Sequence, residues 1–302
     1  MRVASWWCPS GWNPIRGSGI VAEPVSVRQP ARRRRELSVT NHRVGLIVPS
    51  SNLTMETELP RMLHARERVV PDETFTFHSS RMRMKHVTAE ELVAMNAQTE
   101  RATLEVADAR PDVVASACLV AIMAQGPRYH CNAEAQIIGV LDREGVDAPV
   151  VSSAGALLRA LDALGAKRIA MVTPYMKPLT KLVADYIEDA GCEVVDTLSL
   201  EVSDNLAVAR LDPAGLREHW RKVDTSDVDA LVLSACVQMP SLSAIQPVED
   251  AAGIPVLSAA TATVFTALTE LGLRPQVPDA GRLLSGEVTM DRAPRRAGEP
   301  TA

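Results

Sequence analysis

The chain carries the same folding unit twice, and that repetition narrows its architecture more than any other feature. "RVGLIV" at 43–48 returns as "RIAMVT" at 168–173, "DVVASAC" at 112–118 as "DALVLSAC" at 229–236, and "APVVS" at 148–152 as "IPVLS" at 254–258. The last pair leads into matching helical stretches, "GALLRALDALG" (155–165) and "TATVFTALTELG" (261–272). Cys118 lies 69 residues beyond Pro49 and Cys236 lies 62 beyond Pro174, so spacing is kept along with pattern. The short segments are continuous apolar runs, as in strands of a parallel sheet buried on both faces. Between them run stripes such as Leu157, Ala160, Leu161 and Leu164 at helical spacing. The unit is too long for a solenoid repeat. The expected fold class is therefore α/β: two pseudo-symmetric Rossmann-like halves, each a doubly wound, mostly parallel sheet, with the active site in the cleft between them.

The boundaries follow from where the pattern starts and stops. Residues 41–153 make the first half and 154–258 the second, with 259–288 returning to pack on the first. Residues 1–40 hold Trp, Pro, Gly and a four-Arg run (Arg32 to Arg35) but no structural period, and read as a disordered leader. A start at Val39, from a codon that gives Met as an initiator, is a second reading of that segment. Residues 289–302 read as a disordered tail.

Composition excludes several classes. Aromatics are only 3% of the 302 residues, which leaves no stacking platform for single-stranded nucleic acid, and a net charge of −5 gives no nucleic-acid footprint. No apolar run is long enough to span a membrane. Five cysteines at irregular spacing make no disulfide framework, which points to a reducing cytoplasm. The six His and these Cys show no metal-ligand spacing, and the glycines never form the dinucleotide fingerprint, so neither metal nor cofactor is expected.

In open parallel sheets, ligands bind beyond the carboxyl ends of the strands. Four polar features fall there, two from each half: "PSSN" (49–52), Cys118, "PY" (174–175) and Cys236. A lone Cys at such a place is more often a small core residue; two at matched positions read as a functional pair. A helix is expected after each cysteine, its first N–H groups lowering the thiol pKa and holding a carboxylate. Two thiols flanking a substrate carbon suit either racemisation, one removing and the other returning a proton, or addition of a thiolate to a conjugated alkene with protonation by its partner. Elsewhere, "TAEELVAMNAQTERATLEVADARP" (88–111) reads as one helix opened by a Thr88–Glu91 capping box and ended by Pro111. "RMRMKH" (81–86) reads as a solvated loop, with anion steering or an interface as alternatives. Cys131 and Cys192 read as structural, and Cys8 lies in the leader.

The paired cysteines on a duplicated α/β unit resemble the aspartate/glutamate racemase superfamily, most of all its maleate cis–trans isomerases. "VPSSNLTMETELP" (48–60), "SACLVAIM" (116–123), "TPYMKPLT" (173–180), "EVSDNLAVARLDP" (201–213) and "SACVQMP" (234–240) carry the likeness, which covers about residues 43–285. The resemblance implies that Cys118 is a nucleophile and Cys236 a proton donor. It implies that Asn52, Tyr175 and Asn205 grip substrate carboxylates, with the backbone at Leu119, Val120, Val237 and Gln238 completing the cradle. It implies a small dicarboxylate substrate, maleate converted to fumarate without cofactor, and a homodimer or larger assembly. A racemase of an acidic amino acid is the alternative; a decarboxylase of this fold typically keeps one of the two cysteines, and a non-catalytic binding protein has no need of both.

Overall fold

The computed structural model describes residues 39–290; the leader over 1–38 and the tail from 291 lie outside the described residues. Eight strands run through it: β1 Thr40–Pro49, β2 Glu73–Met82, β3 Val113–Ser116, β4 Val150–Ser152, β5 Arg168–Thr173, β6 Glu193–Ser199, β7 Ala230–Ser234 and β8 Val256–Ser258. The helices are α1 Met55–Glu67, α2 Ala89–Asn96, α3 Thr99–Ala107, α4 Leu119–Met123, α5 Tyr129–Arg143, α6 Ser153–Ala163, α7 Lys177–Asp189, α8 Asn205–Val208, α9 Leu216–His219, α10 Leu242–Ala252 and α11 Ala259–Glu270.

The strands form two four-stranded sheets, ordered β2-β1-β3-β4 and β6-β5-β7-β8, and every neighbouring pair is parallel. The two orders are the same order, so the repeat in sequence is a repeat in topology, and the expected fold class holds. In each sheet the first strand of the half sits centrally and is buried: Leu46, Ile47 and Val48 on β1, Ala170, Met171 and Val172 on β5. Gly45 keeps β1 within reach of α3, since a Cβ there would stand 2.5 Å from Val106 Cγ1.

The last strand of each half ends on a serine that caps the next helix, as short polar side chains do at an N-terminus. Ser152 accepts from Gly155 N, and Ser258 forms a capping box with Thr261. The helices so begun, α6 and α11, pack on each other, and α11 also meets α1, β3 and β4. All twelve residues of α11 are buried, including four threonines. Thr263, Thr266 and Thr269 satisfy their hydroxyls on the carbonyls four residues back, at 2.7, 3.0 and 3.0 Å, which allows polar side chains in a fully covered helix.

Two expectations about the first half need correcting. The stretch after Thr88 is two helices, α2 and α3, because Gln98 is pinned across to the end of the β2 strand. It accepts from Arg83 N at 2.9 Å and donates to Arg83 O at 3.2 Å, and the Thr99 hydroxyl takes the Asn96 carbonyl at 2.7 Å. Thr88 does cap α2, but Glu91 does not reciprocate; its carboxylate accepts from Lys85 N and His86 N instead. Residues 81–86 are likewise no solvated loop. Met82 and Met84 are buried while Arg81, Arg83 and Lys85 are exposed, and Met84 is tied to Ser50 through both its N–H (3.0 Å) and its carbonyl (3.2 Å).

Candidate active site

Each of the four strand-end features turns into the same space. After β1, Asn52 is 3% exposed and its Oδ1 accepts from Thr54 N at 3.0 Å and Met55 N at 2.9 Å. The side chain thus serves the orphan N–H groups at the start of α1, and this fixes its orientation: Nδ2 is the group left to meet a ligand. After β3, Cys118 sits at φ +88°, a left-handed conformation that non-glycine residues take at a cost of about 1–3 kcal/mol when surroundings force it. It stands at the N-cap of the short helix α4. After β5 comes Tyr175, whose hydroxyl donates to Ala235 O at 3.4 Å and reaches the Cys236 thiol. After β7 comes Cys236.

Cys236 departs from expectation. It is followed by a tight turn, and α10 begins only at Leu242. Pro240 has no N–H to give a helix and restricts the residue before it. The Ser234 hydroxyl bonds the carbonyls of Cys236 (2.9 Å) and Met239 (3.4 Å), holding the turn closed. The N–H of Gln238 then points at Cys236 Sγ at 3.4 Å.

Asn52, Cys118, Leu119, Val120, Tyr175, Asn205, Cys236, Val237 and Gln238 all line one cavity, with Pro49, Met84 and Val87 completing the wall. Every residue read from the sequence as a site candidate therefore borders a single space. Met84 and Val87 were missed. Their signal was present: the alternation Arg81, Met82, Arg83, Met84, Lys85 continues the period of β2 past its end. Asn205 opens α8, capped by Asp204, and donates to Ser51 Oγ at 2.8 Å.

The site is closed by bonds between its two halves. Gln238 accepts from Leu53 N (2.9 Å) and donates to Ser51 O (2.8 Å) and Asn205 O (2.9 Å), while its own carbonyl accepts from the Thr54 hydroxyl (2.6 Å). Glu58 on α1 accepts from Ser241 N and Leu242 N, both at 2.7 Å, and so caps α10 from the other half.

None of the residues lining the cavity carries a formal charge, and its titratable groups are Cys118, Cys236 and Tyr175. Both thiols are buried, at 8% and 7% exposure. Burial pushes the Cys118 thiol up to about 12, against a single lowering bond from Ala121 N–H and with Cys236 nearby raising it further. Burial also raises Cys236, opposed by the Tyr175 hydroxyl and the N–H groups of Gln238 and Met239. The expectation that helix starts would lower both thiols fails here, because desolvation outweighs the few donors that face them.

A duplicated parallel α/β fold with two facing thiols over a neutral, donor-lined cavity defines a cysteine-based enzyme of the aspartate/glutamate racemase type. The family model for arylmalonate decarboxylase matches residues 44–284. The chain is 58% identical to a maleate isomerase of Geobacillus stearothermophilus over 245 residues, 81% of this chain and 98% of that one. A cysteine-to-alanine variant of the maleate isomerase from Pseudomonas putida S16, solved with maleate, superposes with a TM-score of 0.81 at 56% identity, covering 82% of this chain and 99% of that one. A cysteine-to-serine variant of Nocardia farcinica maleate cis–trans isomerase, which holds a covalently bound succinylcysteine intermediate, superposes at 0.78 with 49% identity, covering 81% and 98%. The chain belongs to the maleate isomerase family, a family of cis–trans isomerase enzymes, within the wider arylmalonate decarboxylase group.

Proposed function

We propose that this enzyme converts maleate to fumarate without a cofactor, through a succinyl-cysteine adduct in which Cys118 bonds C2 and Cys236 protonates C3. The observation that carries this is the pair of thiols brought from equivalent strand ends to one cavity whose walls are otherwise neutral. The known intermediate of the Nocardia farcinica relative supports the same chemistry.

Binding alone cannot turn one isomer into the other. Even the partial double bond of a peptide resists rotation by about 18–20 kcal/mol, and a barrier of about 20 kcal/mol already limits turnover to roughly 0.01 per second. A full C=C bond resists far more, so its order must first fall. Addition of the Cys118 sulfur to C2 moves the π electrons to C3, where Cys236 supplies a proton. The central bond is then single and rotates; reversal of both steps releases the trans isomer.

The substrate is a dianion, and no cation lines the cavity to receive it. Its carboxylates are assigned to aimed neutral donors: Nδ2 of Asn52, the amide of Asn205, the Tyr175 hydroxyl and the backbone N–H groups of Leu119, Val120, Val237 and Gln238. An acidic amino acid would add an ammonium group, for which none of the lining residues offers a carboxylate; this weighs against the racemase reading. All four described cysteines are free, in keeping with a reducing cytoplasm, and a homodimer or larger assembly is carried over from the superfamily resemblance. Purified protein incubated with maleate and no additive should show loss of maleate and growth of fumarate signals by NMR. Solvent deuterium entering Cα of aspartate or glutamate, with maleate untouched, would assign the racemase instead.

A further inference from the structure

The turn that carries Cys236 is tied to the first half at two points, its tip and its foot. At the tip, the Gln238 side chain bonds Leu53 N, Ser51 O and Asn205 O, and the Gln238 carbonyl accepts from the Thr54 hydroxyl. At the foot stands Glu58, buried on α1 of the first half. Its Oε1 accepts from both Ser241 N and Leu242 N at 2.7 Å, where α10 of the second half begins.

The second tie is not one that α10 needs in order to start. Ser241 occupies its N-cap position, and serine is among the best residues there. Ser152 and Ser258 cap α6 and α11 in that way. Ser241 makes no such bond; its hydroxyl donates to Oε2 of Glu58 at 3.4 Å. A helix with a competent cap residue of its own is capped from the other half.

The chain on either side of this bond is stiff. Between Cys236 and Ser241, Met239 N bonds Cys236 O at 3.3 Å, and the Ser234 hydroxyl bonds the carbonyls of Cys236 and Met239. Pro240 fixes one further torsion. On the other side, Glu58 N bonds Thr54 O at 2.8 Å. Glu58 thus lies one turn into the helix whose first N–H groups, those of Thr54 and Met55, are held by Asn52. Short links therefore run from Asn52 through Glu58 to Cys236, and both ends line the cavity. One tie leaves a turn free to pivot about it; two fix its orientation.

We infer that Glu58 is a positioning residue: its carboxyl oxygen sets where Cys236 stands relative to Asn52 across the cavity. Glu58 is not among the residues that line the cavity, so it acts through the turn and not on a bound molecule. What it supplies is reach and an acceptor, not charge. The placement of Cys236 holds whatever the chemistry; its effect on maleate turnover rests on the isomerase reading.

The test compares three substitutions, assayed well below the lowest measured Tm. Glu58→Gln keeps an oxygen of the same reach for both N–H groups, and its amide can donate to the Ser241 hydroxyl. Glu58→Asp keeps the charge but withdraws the acceptor by one C–C bond, about 1.5 Å. Glu58→Ala removes it. Glu58→Gln should hold kcat/KM within about threefold of the unaltered protein. Glu58→Asp and Glu58→Ala should lower kcat at least about tenfold with a smaller change in KM, since a misplacement of about 1 Å can cost 10² in rate. A second readout needs no turnover: the rate of iodoacetamide labelling of Cys236 relative to Cys118 at one pH, by peptide mass mapping. That ratio should change at least about threefold in Glu58→Asp and Glu58→Ala and stay put in Glu58→Gln, because labelling follows access to the thiol. Unaltered kcat and labelling ratio in Glu58→Asp overturn the inference and leave Glu58 a matter of stability alone. Glu58→Gln as damaged as Glu58→Ala also overturns it, since charge would then be what counts. If the ratio responds as expected while the unaltered protein leaves maleate untouched, the isomerase reading fails and the positioning of Cys236 by Glu58 stands.

Discussion

Replacing Gln238 with alanine should damage activity more than stability alone explains. The side chain makes three hydrogen bonds, from Leu53 N (2.9 Å) and to Ser51 O (2.8 Å) and Asn205 O (2.9 Å), and is 4% exposed. Each partner left buried and unpaired costs about 1–3 kcal/mol. Leu53 lies at the surface, so its N–H recovers water, and the two remaining partners sum to about 2–6 kcal/mol. For a chain of this size each kcal/mol moves Tm by roughly 2–4 °C, giving a fall of about 4–24 °C. The variant should still be folded at 25 °C. Its Asn52 loop and Asn205 would then be held together across the cavity only by the direct bond from Asn205 to Ser51. Removing one aimed donor outright costs 10²–10³ in rate, and loosening two should lower kcat/KM by about 10–100-fold. The assay is initial rate against maleate concentration at a temperature well below the measured Tm. Gln238→Glu keeps the acceptor for Leu53 but sets a carboxylate oxygen against two carbonyls, and should be worse on both counts. A lowered Tm with unchanged kcat/KM in Gln238→Ala would show instead that these bonds matter only to the fold.

Other outcomes follow from the same structure. Asn52→Asp keeps the oxygen that caps α1 but replaces the free Nδ2 by a charged oxygen, so kcat/KM should fall at least about 10³-fold with little change in Tm, checked by kinetics and calorimetry. Stability should decline above about pH 8.5, where thiols of the unfolded chain ionise. Cys118, pushed up to about 12, and Cys192, up to about 11, stay neutral when folded. The unfolded state then binds fewer protons, and each thiol removes about 2 kcal/mol between pH 8 and 10; Cys192→Ala should flatten that slope in denaturant melts. Thr88→Ala removes the side-chain cap of α2 and should cost about 1 kcal/mol in the same assay.

How far the sequence reaches depends on which forces are local. The sheets were legible because β1, β3, β5 and β7 each carry a short buried apolar run and the chain states the pattern twice. Cys118, Cys236, Asn52 and Tyr175 were legible because strand ends in such sheets are where chemistry gathers. Asn205 was not; "SDN" reads as an ordinary helix start, which it is, and only the family likeness singled out its side chain. The break at Gln98 was hidden because its cause is a pair of bonds to Arg83, fifteen residues away. The Gln238 side chain was hidden for the same reason, since its partners Ser51 and Leu53 are 187 and 185 residues distant. Pro240 is a readable signal against a helix after Cys236, and it runs counter to the symmetry between the halves. That symmetry is real in topology and fails at the sulfur atoms, where the donors differ.

The proposed covalent bond between Cys118 and the substrate carbon leaves a mass signature. Intact-protein and peptide mass spectrometry on enzyme mixed with maleate and quenched in acid tests it most directly, with Cys236→Ser used to slow release of the adduct. A mass increase equal to one maleic acid is expected, confined to the peptide bearing Cys118 and absent in Cys118→Ala, which should also have no turnover. The same increase on Cys236, or full activity in Cys118→Ala, would contradict it.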